Sequence, residues 1–220
     1  MDKIKTIETK LEDCFKRYLQ ALLKINTFKQ FKKNFETSKI LDYAAGVGSL
    51  VSMMRHELPD ATVHGYEPST ISVKQGIELY SNLDSDCFSV RVPDTDYDVI
   101  VSQYLYKYLD SKQAFFEHCY ELLVKDGVLI LEITSNSLFD RLFRRTLSHR
   151  FNGWEVKDAE FEDYFKLVQT LKSPVANYEF ETLSIQGFRD FLKSLAITIL
   201  RGIGDVDSMI LVFEKKGKNI

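Results

Sequence analysis

KILDYAAGVGSLVSMM, residues 39–54, is the stretch that decides the fold. It opens with the β-type apolar pair Ile40-Leu41, turns at Gly46-Val47-Gly48, and continues as SLVSMMRHEL with helical character up to Pro59. A strand that runs into a glycine turn and then a helix is the opening of a βαβ unit. Glycines at such a turn let the chain bend sharply and let its backbone come close to a ligand. Asp42 stands at the end of this strand. The next strand is expected at Thr62–Tyr66 and ends in Glu67-Pro68. Glu67 follows Gly48 by 67 − 48 = 19 residues. A carboxylate so placed lies beside the first loop and can accept both hydroxyls of a ribose.

The same alternation continues along the chain. A helix is expected over Ser69–Tyr80, a strand around Cys87–Val90, a turn at Pro93-Asp94-Thr95-Asp96, a strand at DVIVS (98–102) and a helix over Ser111–Leu123, with Gly127 closing that unit. VLILEI (128–133) is almost continuously apolar, as befits a strand covered on both faces. These features predict an α/β fold: a mainly parallel sheet with helices on both faces. Upstream, Ile4, Ile7, Leu11, Phe15 and Leu19 form one helical stripe, and Phe28–Phe35 reads as a second helix, so residues 1–37 are expected to be a helical extension.

After Thr134 the order breaks. SNSLFDRLFRRTLSHR (135–150) and Glu160–Leu171 read as helices, and 135–181 is expected to be an insert or lid at the carboxyl end of a central strand, where such sheets bind ligands. SIQGFRDFLKSL (184–195) reads as a helix. The apolar runs ITIL (197–200) and MILVF (209–213) around a Gly-Asp turn predict a terminal hairpin that adds an antiparallel member to the sheet.

Composition narrows the class. With 220 residues, 45% hydrophobic and 28% charged, the chain is expected to form one globular domain. Its longest apolar runs, such as Val128–Leu131, fall far short of the roughly 20 residues of a membrane span. A net charge of −3 with dispersed basic residues does not favour a nucleic-acid duplex as partner. The charged N-terminus has no signal-peptide pattern, and Cys14, Cys87 and Cys119 show no paired spacing, so a cytoplasmic, reducing location is expected. With no HxxxH and no cysteine pair, no metal is expected.

A glycine loop followed by an acidic residue is also the dinucleotide fingerprint, but G-x-G-x-x-G counted from Gly46 places Val51 where the third glycine belongs. Asp42-Tyr43-Ala44-Ala45-Gly46-Val47-Gly48 instead resembles the first motif of the class I S-adenosylmethionine-dependent methyltransferases, acidic–x–Gly–x–Gly–x–Gly. Glu67-Pro68 is similar to the end of their second strand. YDVIVSQYLYKYLD (97–110) and LLVKDGVLILEIT (122–134) are similar to their fourth and fifth strands with the helix between. The resemblance covers residues 38–134. It implies a seven-stranded sheet with a reversed last strand, and S-adenosyl-L-methionine as cofactor. The methionine end would lie over Gly46 and Gly48, oriented by Asp42, with the ribose on Glu67 beside Pro68. Asp94 would contact the adenine, and the backbone of Ser102 and Gln103 would border the cofactor. Ala44 replaces the first motif glycine, which fits if its φ is negative.

Methyl transfer from a sulfonium needs an acceptor lone pair in line with the S–CH3 bond, and a base if the acceptor is a hydroxyl or an ammonium. Similar enzymes carry an Asn-His-x-x-x-His pattern where this chain has Gln103, Tyr104 and Tyr108, so no imidazole base carries over to those positions. Tyr104 and Tyr106 are therefore candidates to line the reacting centre, and His149 is a further catalytic candidate from the variable region. Tyr104, Tyr108, Arg144, Arg145 and Trp154 are candidates to bind the acceptor: the arginines for an anionic group, Trp154 for an apolar one. The expected function is methyl transfer to oxygen or nitrogen of a small molecule. A protein or RNA substrate, or a noncatalytic cofactor-binding module, are the alternatives, and the sequence leaves the oligomeric state open.

Overall fold

A computed structural model describes residues 35–134, 156–172 and 208–217. Their core is a seven-stranded sheet: β1 (Lys39–Tyr43), β2 (Thr62–Tyr66), β3 (Phe88–Ser89), β4 (Tyr97–Gln103), β5 (Leu123–Thr134), β6 (Phe165–Lys172) and β7 (Ser208–Lys215), in the spatial order β3-β2-β1-β4-β5-β7-β6. The pairs from β3 through β5 are parallel, and β7 runs antiparallel to both β5 and β6. The chain leaves β1 towards β2 and later returns to its other side as β4. This reversal of strand order opens a crevice beyond the carboxyl ends of β1 and β4.

Alternation along each strand sorts the core into two layers. Ile40, Val63, Val99, Val101, Ile130 and Val212 face Leu50, Val51 and Met54 of α1 (Ser49–Glu57) and Val73 of α2 (Thr70–Leu79). Leu41, Ile100, Leu129, Leu131 and Phe213 face Phe115, Phe116, Cys119 and Leu122 of α3 (Lys112–Leu122). Ser69 and Ser111 begin α2 and α3 by accepting the backbone N–H of Ser72 and Ala114, which satisfies donors that a helix start leaves open. Among the described residues no helix is long and apolar enough to cross a membrane.

Two expectations about the second half need correction. Glu160–Leu171 is not a helix: a short α4 (Asp158–Phe161) gives way to the edge strand β6, so this part of the expected 135–181 insert belongs to the sheet. The misleading signal is Phe161 and Phe165, four apart, which pack on Phe116 and Phe213 from the end of the one-turn α4 and the start of β6 rather than from one helix face. A register shift between Leu167 and Gln169 also breaks the period of two that would have marked a strand. The reversed strand β7 forms as expected, but its two edges are taken by β5 and β6, so its antiparallel partner on the outer side is 165–172 and not 197–200. Residues 197–200 themselves, like 1–34 and the helices expected at 135–150 and 184–195, lie outside the described residues.

Candidate functional site

The loop from β1 to α1 passes three times through the left-handed region, at Ala44 (φ 65°), Gly46 (φ 60°) and Gly48 (φ 76°). Ala44 therefore does not have the negative φ that its methyl group would prefer, and it carries a strain of about 1 kcal/mol that glycine would not. The loop is held from beneath. Ala45 N–H donates to the Tyr66 carbonyl at 2.9 Å, and Gly48 N–H donates to the Ala45 carbonyl at 2.9 Å.

Glu67 ties this loop to the next. Its Oε2 accepts Gly46 N–H at 3.0 Å, and its Oε1 accepts Ser69 N–H at 3.0 Å. Pro68, between them, has no N–H to compete. The carboxylate thus bridges the ends of β1 and β2, and it retains lone pairs for further donors.

The two motif glycines do different work. A methyl group placed on Gly46 would meet nothing within 4 Å, so this residue borders open space at the crevice. One placed on Gly48 would lie 2.8 Å from Leu83 Cδ1 and 3.2 Å from Phe88 Cε1. Gly48 accordingly faces the core and not the crevice. Gly76 of α2, unmarked in the sequence, is a third contributor: a side chain there would come within 2.4 Å of the Val47 carbonyl oxygen, so α2 can press on the loop only because this residue is glycine.

Asp42, one residue before the end of β1, shares the α1 face with Ile40 by strand alternation and is buried. Burial, and after it the negative charge of Glu67, push its carboxyl up to about 7. In the unfolded chain the value is about 3.9. A folded-state value above the unfolded one means that the native state holds the proton more tightly, so this stabilising contribution is full below about pH 4 and is lost as pH rises to about 7. Across that window ionisation of Asp42 lowers stability as pH rises. Asp42→Asn should therefore gain stability relative to the unaltered protein between pH 5 and pH 8. Urea unfolding of both proteins at the two pH values checks this; an unchanged difference would contradict it.

At the neighbouring end of β4, Ser102 is fully buried, with an Oγ that has no hydrogen-bond partner among the described residues. Gln103 Nε2 donates to Glu132 Oε2 at 2.7 Å, and Tyr104 Oη donates to Glu132 Oε1 at 3.0 Å. Tyr104 has φ 56°, and its N–H donates to the Glu132 carbonyl at 3.0 Å. Glu132 is fully buried on β5. In the sequence Glu132 is masked by its apolar neighbours in VLILEI, although one carboxylate in a strand covered on both faces must have polar partners.

The structure thus gathers Asp42, Ala44, Gly46, Gly48, Glu67 and Pro68 at the ends of β1 and β2, with Ser102 and Gln103 at the end of the adjoining strand and Tyr104 just beyond it. Three expected site residues that the structure describes, Asp94, Tyr106 and Tyr108, are not among them. Asp94 Oδ2 accepts from Lys39 Nζ at 2.5 Å, and Lys39 is the first residue of β1, so Asp94 lies at the amino end of the sheet, opposite the crevice. With no helix between β3 and β4, the chain reaches that end within a few residues. Tyr106 is buried in the α3 layer, its hydroxyl donating to Glu160 and its ring packed near Phe116, so it joins the 106–108 turn to α4 and does not face the crevice. Tyr108 is 72% exposed. His149, Arg144, Arg145 and Trp154 lie outside the described residues. Among the described residues no group of three or more His, Cys, Asp or Glu could hold a metal ion.

Known proteins share this fold. The chain is similar to an Invertebrate iridescent virus 6 protein named "Putative methyltransferase 235L", 23% identical over 113 residues, or 48% of this chain and 43% of that protein; the match thus spans less than half of its relative's length. Solved structures share the fold at low identity. The cyclopropane synthase MmaA2 from Mycobacterium tuberculosis is 16% identical with a TM-score of 0.54, over 81% of this chain and 78% of that one. The O-methyltransferase of a trans-AT polyketide synthase multienzyme of Brevibacillus brevis, solved with S-adenosyl-L-homocysteine, is 16% identical with a TM-score of 0.55, over 97% and 75%. The family model described as a methyltransferase domain matches residues 15–185. With the strand order and the glycine loop already in place, that match makes this chain a member of the class I, Rossmann-like S-adenosylmethionine-dependent methyltransferase family.

Proposed function

We propose that this chain binds S-adenosyl-L-methionine at the carboxyl ends of β1, β2 and β4 and transfers its methyl group to an oxygen or nitrogen atom of a small molecule. The observation that carries the reading is the Glu67 bridge: a carboxylate with spare lone pairs, fastened to the backbone of a left-handed glycine loop whose Gly46 borders open space. These are the parts a ribose and an amino-acid end require: a bidentate acceptor beside a backbone free of side chains.

When bound, the cofactor supplies an activated methyl group on a sulfonium. The chain's own residues then have to bind, orient and exclude water. Glu67 holds the ribose hydroxyls beside Pro68, and Gly46 clears the way for the methionine end, with Asp42 beneath it. Gly48 serves the same end indirectly, by letting α1 begin against Phe88. Ser102 and Gln103 border the donor, while Tyr104 and Tyr108 meet the acceptor. In residues 135–181, apart from the part that forms β6, Arg144, Arg145 and Trp154 select the acceptor and His149 is the candidate base. No metal takes part, and the protein works in a reducing cytoplasm, in keeping with the buried free thiols of Cys87 and Cys119.

Glu67→Ala should weaken S-adenosylmethionine and S-adenosylhomocysteine binding by roughly 1.5 to 3 kcal/mol, the scale of hydrogen bonds to a charged group. Glu67→Gln should keep part of the affinity through its remaining oxygen. Titration calorimetry measures both, and affinity that survives Glu67→Ala unchanged would remove the ribose role.

A further inference from the structure

α1 starts without a side-chain cap, because its N-cap residue is Gly48 in the left-handed region. What fixes its start comes from outside the helix. Ser49, Ser52 and Arg55 are three residues apart and so share one face of α1, and each is bonded to the turn that follows α2. Ser49 Oγ and Tyr80 Oη share a hydrogen bond at 2.8 Å. Ser52 Oγ donates to Asn82 Oδ1 at 2.7 Å, and Asn82 Nδ2 donates to the Ser52 carbonyl at 2.8 Å. Arg55 Nε donates to the Asn82 carbonyl at 3.0 Å. The bonds to Asn82 are exposed, whereas Ser49 and Tyr80 are half-buried, and theirs is the bond that meets the chain where it leaves the glycine loop. The neighbours of Tyr80 press on the same loop: Gly76, whose carbonyl accepts Tyr80 N–H at 2.9 Å, lies under the Val47 carbonyl, and Leu83 lies against Gly48. Val47, Gly48 and Ser49 thus each rest on a residue from 76–83, while Gly46 is tied through Glu67 to Ser69 at the other end of α2.

We propose that Tyr80 is a positioning residue for the cofactor: through Ser49 it holds the glycine loop and the start of α1 in their binding form before any ligand arrives. The inference rests on the reading of this loop as the cofactor site and deepens it. A loop with left-handed residues at 44, 46 and 48 keeps that shape only when its surroundings enforce it. A brace supplied by the fold moves the cost of ordering the loop from binding to folding, and the ligand then binds more tightly without any added contact. Asn82, which stitches the same turn to α1 one and two helical turns further from the loop, serves the packing of the helix and not the loop.

Tyr80→Phe keeps the ring and removes only the hydroxyl. It should weaken S-adenosylhomocysteine binding about threefold to tenfold by calorimetry, the scale of one hydrogen bond. Ser49→Ala should show the same loss, and the double variant should lose no more than either alone, because the two hydroxyls serve one bond. Asn82→Ala removes both side-chain bonds to Ser52; it should lower the melting temperature yet bind within about twofold of the unaltered protein. In the ligand-free protein, hydrogen exchange of the Gly46 and Gly48 amides should speed up about threefold or more in Tyr80→Phe and stay unchanged in Asn82→Ala. Unchanged affinity in Tyr80→Phe would overturn the proposal, as would losses that add in the double variant. Equal losses of affinity in Tyr80→Phe and Asn82→Ala would overturn it too, since Tyr80 would then serve only the fold. If the unaltered protein binds no S-adenosylhomocysteine, the cofactor reading falls and this inference with it; the exchange rates, which need no ligand, tell that failure apart from a failure of the brace.

Discussion

Gly46→Val should lower S-adenosylhomocysteine affinity by at least about a hundredfold, or about 2.7 kcal/mol, in a protein that still folds. Gly46 borders open space, so a side chain there strikes no protein atom and instead occupies the volume assigned to the ligand. Its φ of 60° adds strain, because a β-branched residue adopts the left-handed region poorly, and some stability is lost as well. Gly48→Val should behave in the opposite way. Its side chain would be driven into Leu83 and Phe88, and the main effect is on folding. Thermal melts and calorimetry on the two variants separate these outcomes. A Gly46→Val protein that melts normally and binds S-adenosylhomocysteine within threefold of the unaltered chain would contradict the account.

Phe116→Ala should cost about 3 to 5 kcal/mol of stability, the range for removing a large buried aromatic side chain. Phe116 is fully buried at the middle of α3, and its ring lies 5.5 to 6.3 Å from those of Tyr106, Phe115, Phe161, Phe165 and Phe213. It thereby joins the parallel half of the sheet to α4, β6 and β7. The loss should exceed that from Ile71→Ala, whose side chain is 68% exposed on α2. Urea unfolding checks the contrast, and a Phe116→Ala cost below about 1 kcal/mol would mean that this cluster does not hold the two halves together.

The first half of the fold was legible because local signals agreed there. Ile40-Leu41, the glycine turn and the period of α1 all point to one βαβ unit, and Ser69 and Ser111 mark true helix starts. The second half misleads where a bulge breaks strand alternation and where Phe161 and Phe165 mimic a helical spacing. The partner of an edge strand is chosen by long-range packing, which no local pattern records.

The site divides in the same way. Glu67, next to the loop in the fold, was visible from its distance to Gly48. A turn's position in the chain does not say at which end of the sheet it lies, and for Asp94 Lys39 decides that. The separate duties of Gly46 and Gly48 depend on Leu83 and Phe88, which come from elsewhere in the sequence. Glu132 and Gly76 act through partners brought in by neighbouring elements, so their roles appear only once those elements are assembled.

The most direct test of the central claim is a nuclear magnetic resonance titration of the 15N-labelled protein with S-adenosylhomocysteine. The account predicts saturable shifts of the backbone amides of Gly46, Gly48, Glu67, Ser69, Gln103 and Tyr104, while those of Lys39, Asp94 and Thr95, at the opposite end of the sheet, stay in place. Shifts confined to the Lys39 and Asp94 end, or no shifts at millimolar ligand, would contradict it.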